Sequence, residues 1–223
     1  LADVLVLRGG WWGSHGKYPP SLLRNNGSGG RGQVTFTDVT EEAHLVSSRP
    51  TQTAAWADFD SDGFIDLFLG HESSVEEVHP SQLFHNNGDG TFTDFAAKAG
   101  IVNAGYVKGV AWGDFNNDGR PDLYISRKGA LNLLYRNDGP DAAAGWKFTD
   151  VSKQAGVEQP LHSFPTWFFD YDNDGWLDLF VGGYYTETLA DIPAFHLGLK
   201  HRAETPRLYR NQRNGTFKEV SRD

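Results

Sequence analysis

The sequence predicts an all-β fold, a β-propeller whose blades are four-stranded antiparallel sheets. Two observations lead to this fold class. One segment of the chain occurs three times at a constant spacing, and each copy is followed by two further runs with the pattern of short strands. Small repeated sheets can bury their faces only against neighbouring copies, which a propeller provides. An open β-solenoid stack is the alternative that the repeat leaves open.

The repeated segment contains the first two predicted strands of each blade. Its copies cover residues 55–68, 111–124 and 166–180. Asp66 lies 56 positions before Asp122, and Asp122 lies 56 positions before Asp178, so each copy indicates one supersecondary unit. A tryptophan recurs in the first strand, and we expect these side chains to pack in the core or between blades. They are Trp56, Trp112 and Trp167.

Two more strands complete each repeat. The third is a short apolar run such as Leu-Phe-His-Asn at 83–86, which in most copies is followed by Asn-Gly or Asp-Gly, the pattern of a strand entering a tight turn. The fourth, such as Phe-Thr-Asp-Phe at 92–95, alternates apolar and polar residues, as in a half-buried strand. Helical turns are expected between repeats at 96–100 and 152–156.

We interpret the chain as a single propeller segment of about three and a half blades. The predicted divisions are a partial blade at 1–40 and whole blades at 51–98, 108–152 and 163–221. Propellers usually close with four to eight blades, so we expect a larger ring completed by other sequence. The chain begins at Leu1 within what resembles the end of another repeat, and we therefore expect a processed product or a fragment.

The repeated segment also carries a candidate metal site. In each copy, side chains with oxygen atoms occupy positions 1, 3, 5 and 9 of a loop that has glycine at position 6. Alternate positions converge when the backbone curls around an ion, and hard oxygen ligands suit Ca²⁺. About three calcium ions are therefore predicted. Their ligands are Asp58, Asp60, Asp62 and Asp66; Asp114, Asn116, Asp118 and Asp122; and Asp170, Asp172, Asp174 and Asp178.

Two other structures, an EF-hand and a metal-free turn, also place aspartates in loops of this kind. An EF-hand needs a bidentate Glu at position 12, but Leu69, Ile125 and Val181 stand there, within predicted strands. Aspartates also form metal-free Asx turns. Turn chemistry does not require several carboxylates to face one another, however, and three copies with this spacing favour the metal.

These motifs resemble a known repeat family. The sequences Asp-Phe-Asp-Ser-Asp-Gly-Phe-Ile-Asp-Leu at 58–67 and Leu-Phe-His-Asn-Asn-Gly at 83–88 resemble the FG-GAP or VCBS repeat of integrin α-subunit propellers. The Leu-Tyr-Arg-Asn and Phe-Thr-Asp-Val elements are similar to the cartilage acidic protein (ASPIC/UnbV) group. The resemblance implies calcium at the three Asp/Asn sets. Asn116 departs from an all-Asp set, and Asp3 matches the last ligand of a further set.

The connections between second and third strands are candidates for partner binding. They vary most between repeats and cover 8–21, 70–81, 126–131 and 182–206, and loops on a rigid scaffold commonly carry recognition. Candidate contact residues are Trp11, Trp12, Tyr18, Tyr184, Tyr185 and His196. A second, less favoured metal cluster could form from His71, Glu72, Glu76, Glu77 and His79. Tolerated insertions without a ligand are the alternative.

Composition excludes several classes of protein. The formal net charge of −9 and the absence of a basic run argue against nucleic acid as a partner. No run approaches the roughly 18 apolar residues of a membrane span. With zero cysteines, disulfides, thiolate catalysis and cysteine-ligated zinc are all excluded.

The function predicted is a non-enzymatic, calcium-binding extracellular module, secreted or at the cell surface, for recognition, adhesion or assembly. Its partner would be a protein, a carbohydrate or a copy of the chain. One alternative is a carbohydrate-active enzyme of the lyase or dehydratase type, although no catalytic motif is present. Another is a repeat subunit of a surface filament, which the sequence does not separate from the first hypothesis.

Overall fold

The computed structural model describes residues 1–12, 15–28 and 32–221, and within them every sheet is antiparallel. Sheet 1 has three strands and sheets 2 to 4 have four each. The strands of sheet 1 are β1 (Val4–Val6), β2 (Ser21–Ser28) and β3 (Val34–Asp38). Residues 13 and 14 of the first candidate partner loop lie outside the described residues.

The three whole sheets repeat one design. Sheet 2 contains β4 (Thr51–Ala57), β5 (Asp66–His71), β6 (Gln82–Asn86) and β7 (Phe92–Asp94). Sheet 3 contains β8 (Val107–Gly113), β9 (Asp122–Arg127), β10 (Leu133–Asp141) and β11 (Gly145–Asp150). Sheet 4 contains β12 (Ser163–Phe169), β13 (Asp178–Gly183), β14 (Arg207–Asn211) and β15 (Phe217–Glu219).

Each strand is hydrogen-bonded to the next one in the chain, so every sheet is a simple meander. The first strands of sheets 2, 3 and 4 (β4, β8 and β12) lie next to one another, where the sheets converge. This arrangement confirms the predicted all-β class and its four-stranded antiparallel blades.

The hydrophobic core lies between the sheets. One cluster joins Phe68 and Leu83 of sheet 2 to Leu123 and Ile125 of sheet 3. A second joins Tyr124 of sheet 3 to Leu179 of sheet 4, and a third packs sheet 1 against sheet 2. Successive residues of β9 therefore face opposite clusters, as the alternation of side chains along a strand requires. Each sheet is stabilised by its neighbours.

The connecting segments differ in part from expectation. The predicted helical turn after sheet 3 is helix α1 (Ser152–Ala155), whereas 96–100 forms a hydrogen-bonded turn. The predicted tight turns at Asn26-Gly27 and Asp138-Gly139 are wrong, because β2 and β10 run through these dipeptides with a shift of register. Helix α2 (Asp191–His196) in the long 182–206 connection was not predicted.

The expectation for the recurring tryptophans holds for one of the three. Trp112 packs against the core cluster of sheets 2 and 3, and its indole Nε1 donates to the Ala55 carbonyl oxygen at 3.4 Å. Trp56 and Trp167 are 41% and 46% exposed. Trp167 is displaced by one residue: Trp112 pairs with Leu123, but Phe168 makes the equivalent pair with Leu179. Such an offset places Trp167 on the opposite face of its strand.

An asparagine in the third strand of each whole sheet bonds the second strand of that sheet, and two of the three also bond the preceding sheet. Its backbone N–H donates to the first aspartate of the second strand, at 2.8 Å for Asn86 to Asp66, Asn137 to Asp122 and Asn211 to Asp178. The side chain of Asn137 also donates to the Phe59 carbonyl oxygen of the preceding sheet at 2.8 Å. Asn211 bonds the Phe115 carbonyl oxygen at 2.7 Å in the same way. We call these residues the bridging asparagines.

Replacing Asn137 by alanine should destabilise the fold by about 2 kcal/mol, because two carbonyl oxygens lose their donor inside the protein. Asn86→Ala is the matched control. Asn86 occupies the equivalent position, is half-buried, and bonds only the Ile65 carbonyl oxygen of its own sheet through its side-chain N–H. Urea unfolding at equilibrium measures both variants, and equal losses would contradict a role for Asn137 between sheets.

Candidate metal centres

The three predicted metal loops connect the first and second strands of sheets 2, 3 and 4. They are loop 1 (58–66), loop 2 (114–122) and loop 3 (170–178). Position 6 is glycine with φ between +84° and +90°, and position 4 (Ser61, Asn117 or Asn173) is also left-handed, with φ from 56° to 60°. Glycine adopts this conformation without strain. These two residues curl each loop so that its odd-numbered side chains turn inward.

The aspartate at position 1 stabilises the curled backbone of each loop by hydrogen bonds. One carboxylate oxygen of Asp58 accepts the backbone N–H of Asp62 at 3.1 Å, and the other accepts that of Gly63 at 3.0 Å. Asp114 and Asp170 make the same pair of bonds in loops 2 and 3. The loops therefore share one backbone design.

The aspartate at position 9 is buried at the start of each second strand. Asp66, Asp122 and Asp178 are at most 1% exposed. Each accepts the N–H of the residue at position 2 and the N–H of the bridging asparagine. Burial raises the pKa of Asp66 to about 6 and that of Asp122 to about 7, and it also raises the pKa of Asp178. A bound cation would favour the ionised forms.

Loops 1 and 3 each gather three carboxylates. Asp58, Asp60 and Asp66 have ligand oxygens within 4.8 Å of one another, and so do Asp170, Asp172 and Asp178. The Oδ1 atoms of Asp60 and Asp172 at position 3 are buried and have no hydrogen-bond partner among the described residues. Burial and the neighbouring Asp62 carboxylate raise the pKa of Asp60. An unpartnered buried carboxylate oxygen is costly unless a cation satisfies it.

A basic side chain on the third strand balances part of this charge. His85 lies 3.0 Å from Asp60, between Nε2 and Oδ2, and 3.4 Å from Asp62. Arg210, at the equivalent position of sheet 4, lies 2.7 Å from Asp172. Two independent repeats thus place a positive or protonatable group on the position 3 carboxylate.

Loop 2 is different because position 3 is Asn116. Its amide donates to Asp118 at 2.9 Å, and Asp118 also pairs with Arg120 at 2.6 Å. Arg136, the equivalent of His85 and Arg210, pairs instead with Asp138 at 2.7 Å. Loop 2 therefore has one carboxylate fewer. A cationic partner at position 5 is not peculiar to it, because Asp174 of loop 3 lies 2.7 Å from Arg213.

The donor sets fit Ca²⁺. Loops 1 and 3 offer only carboxylate oxygens from positions 1, 3, 5 and 9, and the backbone carbonyl at position 7 is available as in other calcium loops. His85 adds one nitrogen donor near loop 1, because its ring and the Asp60 and Asp62 carboxylates have ligand atoms within 4.8 Å of one another. The three carboxylates Asp58, Asp60 and Asp66 form a separate group made of oxygen donors alone. Hard oxygen donors without thiolates select against transition metals.

The second metal cluster considered for 71–79 does not form. His71 is buried and bonds Thr51 at 3.1 Å and Gln82 at 3.0 Å, and burial lowers its pKa to about 3. Glu72 pairs with the buried Lys108, and Glu77 pairs with Lys17. The Nε2 atom of His79 has no hydrogen-bond partner among the described residues and lies 3.6 Å from Oε2 of Glu77. His71 and Glu72 are held by their own partners, and the exposed Glu76 is not brought to them.

The candidate partner residues are at or near the end of the sheets opposite the metal loops. Trp11, Trp12 and Tyr18 are 55–67% exposed in the connection from β1 to β2. Tyr184 and Tyr185 are each 40% exposed directly after β13, whereas His196 ends helix α2 further along the same connection. The structure brings Trp11 and Tyr184 to a common neighbour, Phe164, and leaves the other four apart from it.

Sequence reasoning missed the bridging asparagines as site residues. They contact the position 9 aspartates of their own sheets, and the side chains of Asn137 and Asn211 also couple loops 1 and 2 to the next sheet. Their recurrence in the Leu-Tyr-Arg-Asn element was visible, but a strand pattern alone gives no reason for an asparagine at that position.

Comparison with known proteins confirms the repeat family resemblance. Residues 58–125 match the family described as FG-GAP-like repeat, which includes loops 1 and 2. The chain is 31% identical over 152 residues to Cartilage acidic protein 1 of Homo sapiens, covering 67% of this chain and 22% of that protein. It is 25% identical over 176 residues to Cartilage acidic protein 1 of Xenopus tropicalis, covering 78% and 26%. The chain thus spans about a quarter or less of these relatives.

Neither helix in the described part of the chain has the length and apolar character needed to cross a membrane.

Replacing Asn116 by aspartate should strengthen calcium binding at loop 2 by roughly tenfold, because a fourth carboxylate joins the ligand set. In EDTA the same change should lower the melting temperature through repulsion between carboxylates. Asn117→Asp is the control, since the side chain of Asn117 bonds the Gly175 carbonyl oxygen of loop 3 at 3.1 Å. Calorimetric titration with Ca²⁺ measures the affinity. An identical gain in both variants would show that net charge alone matters.

Proposed function

We propose that this chain is part of an extracellular propeller that is stabilised by calcium and serves recognition, adhesion or assembly. One observation carries the proposal: in loops 1 and 3, three carboxylates converge around a buried oxygen atom that has no partner among the described residues. Calcium is the ion whose ligand preference matches this donor set. The proposed role is binding, without catalysis.

Calcium would stabilise the sheets through these loops. Burial of the position 9 aspartates opposes their ionisation, and an ion bound to the ionised form offsets that cost. Because the same aspartates bond the third strand, an ion in the loop would order the hairpin and its neighbour together. Extracellular calcium is abundant enough to fill even weak sites of this kind.

Two observations support the recognition part of the proposal. The ends of the sheets opposite the metal loops carry irregular connections rich in exposed aromatic residues, and binding residues are commonly found on such loops. The matched relatives are named as cartilage acidic proteins, which is consistent with a role outside the cell. We infer a protein or carbohydrate ligand, or another copy of the chain, as the partner.

Calcium should raise the melting temperature of the purified protein by several degrees over EDTA, whereas Mg²⁺ should not, because Mg²⁺ demands a more rigid octahedral site. About three ions per chain are expected. The double variant Asp60→Asn, Asp172→Asn should lose most of the calcium effect. Asp89→Asn changes an exposed turn aspartate and serves as the control. No calcium effect and no bound metal would refute the metal part of the proposal.

The fluorescently labelled protein should bind to the surface or extracellular material of cells from its source in a few millimolar Ca²⁺. The double variant Tyr184→Ala, Tyr185→Ala should reduce this binding, while Phe36→Ala, an equally exposed aromatic on the outer strand β3, should not. Flow cytometry gives the measurement. Absence of binding, together with retention of the native protein inside the cell, would refute the recognition role.

A further inference from the structure

We propose that the ends of the sheets opposite the metal loops form a binding site for an acidic saccharide. The inference rests on the proposed recognition role and names its ligand class. The site is built around Trp11 by residues of all four sheets, and we call it the Trp11 site. Its members are Trp11, Glu72, Tyr106, Lys108, Lys128, Phe164 and Tyr184.

The Trp11 site lies where the repeats share a backbone geometry but differ in sequence. Glu72, Lys128 and Tyr184 each stand six residues after the position 9 aspartate of their repeat. Glu72 forms a β-bridge with Tyr106, and Lys128 forms the equivalent bridge with His162. The fold therefore accepts an acid, a base or an aromatic ring at one and the same place. The backbone therefore does not require these particular residue types at the three positions. Selection for binding a ligand can account for them.

A buried ion pair holds Trp11 in place. The side chains of Lys108 and Glu72 are paired and both are 0% exposed. Oε2 of Glu72 accepts the backbone N–H of Trp11 at 2.7 Å, and the Lys108 ammonium lies 3.0 Å from the centroid of the Trp11 ring. Burying two charges gives little net stability, so this pair is better explained by positioning than by stability.

The backbone at Trp11 is strained. Its φ of 70° is left-handed, a conformation that is costly for a bulky residue and that persists only where the surroundings enforce it. The Glu72 hydrogen bond and the Lys108 contact supply that enforcement. The result is a large indole ring fixed at the surface, with 55% of its area exposed.

The aromatic rings form a row that suits a sugar. The Trp11 ring contacts Phe164 edge-on at 6.1 Å, and Phe164 contacts Tyr184 at 6.4 Å. Such rings offer a broad apolar surface at little cost in conformational entropy, with a polar tip on tyrosine. The Lys108 ammonium already covers one face of the Trp11 ring, where the ring quadrupole attracts cations, so a second cation is disfavoured by repulsion from the first. A cationic ligand is therefore a poor match.

One lysine of the Trp11 site, Lys128, has no carboxylate partner among the described residues. Lys108 is paired with Glu72, and His162 bonds Glu204 at 3.0 Å. Lys128 is exposed, lies 5.9 Å from the Trp11 ring and 5.4 Å from the Tyr106 ring, and forms no ion pair with any described residue. An ammonium beside exposed aromatic rings matches a ligand with an apolar ring face and an anionic substituent. A uronate or sulfated sugar has this combination.

The test is a panel of oligosaccharides of matched length that are neutral, uronate-containing or sulfated, applied to the calcium-loaded protein. At least one acidic member should bind with a dissociation constant below 1 mM, and the neutral members at least tenfold more weakly. Isothermal titration then compares variants. Trp11→Ala and Lys128→Gln should each weaken binding by about tenfold or more. Lys128→Gln should leave the melting temperature unchanged, because the Lys128 side chain is exposed.

Matched controls separate the site from general charge and apolar effects. Trp167→Ala removes another exposed tryptophan, on β12, and Lys153→Gln removes an exposed lysine on helix α1. Both should bind within twofold of the unmodified protein. The inference is overturned if no acidic saccharide binds, if neutral ones bind equally, or if Lys128→Gln has no effect. Calcium-dependent binding to cells that survives these failures would leave the recognition role standing and refute only the ligand class.

Discussion

The structure depends on a buried carboxylate that begins the second strand of each repeat. Asp66, Asp122 and Asp178 each accept hydrogen bonds from the metal loop and from the bridging asparagine of the third strand. A carboxylate can accept several donors at once, whereas no apolar residue can satisfy these N–H groups. One side chain thereby fixes the loop, the second strand and the third strand relative to one another.

Two of the three bridging asparagines extend this arrangement from one sheet to the next. Asn137 and Asn211 bond carbonyl oxygens in loops 1 and 2 of the preceding sheets, and Asn117 of loop 2 bonds loop 3. The metal loops are therefore linked in series along one side of the molecule. An ion that orders one loop would act on the packing of its neighbours as well as on its own hairpin. This coupling gives a physical reason for the same acidic loop to recur in every whole sheet.

The two ends of the sheets differ in how much their residues vary between repeats. At the loop end, the repeats preserve nearly the same side chains, because each one takes part in holding the curled backbone. At the opposite end, equivalent positions carry Glu72, Lys128 and Tyr184, and the connections vary in length. A rigid scaffold with one constant end and one variable end is well suited to recognition, since the variable residues can change without loss of the fold.

The sequence by itself determined the repeat, the four strands of each whole sheet and the metal loops, because these features depend on neighbours within a few residues. The spacing of Asp58, Asp60, Asp62 and Asp66 already implies a curled loop, and alternation of apolar residues implies a strand. Contacts between distant segments were decided by the tertiary structure alone. They include the bond from Asn137 to Phe59 and the Lys108–Glu72 pair under Trp11. The exposed orientation of Trp167 was decided at the same level. Such features arise from the packing of one sheet on another, where a shift of one residue reverses the direction of a side chain, and no local pattern records that shift.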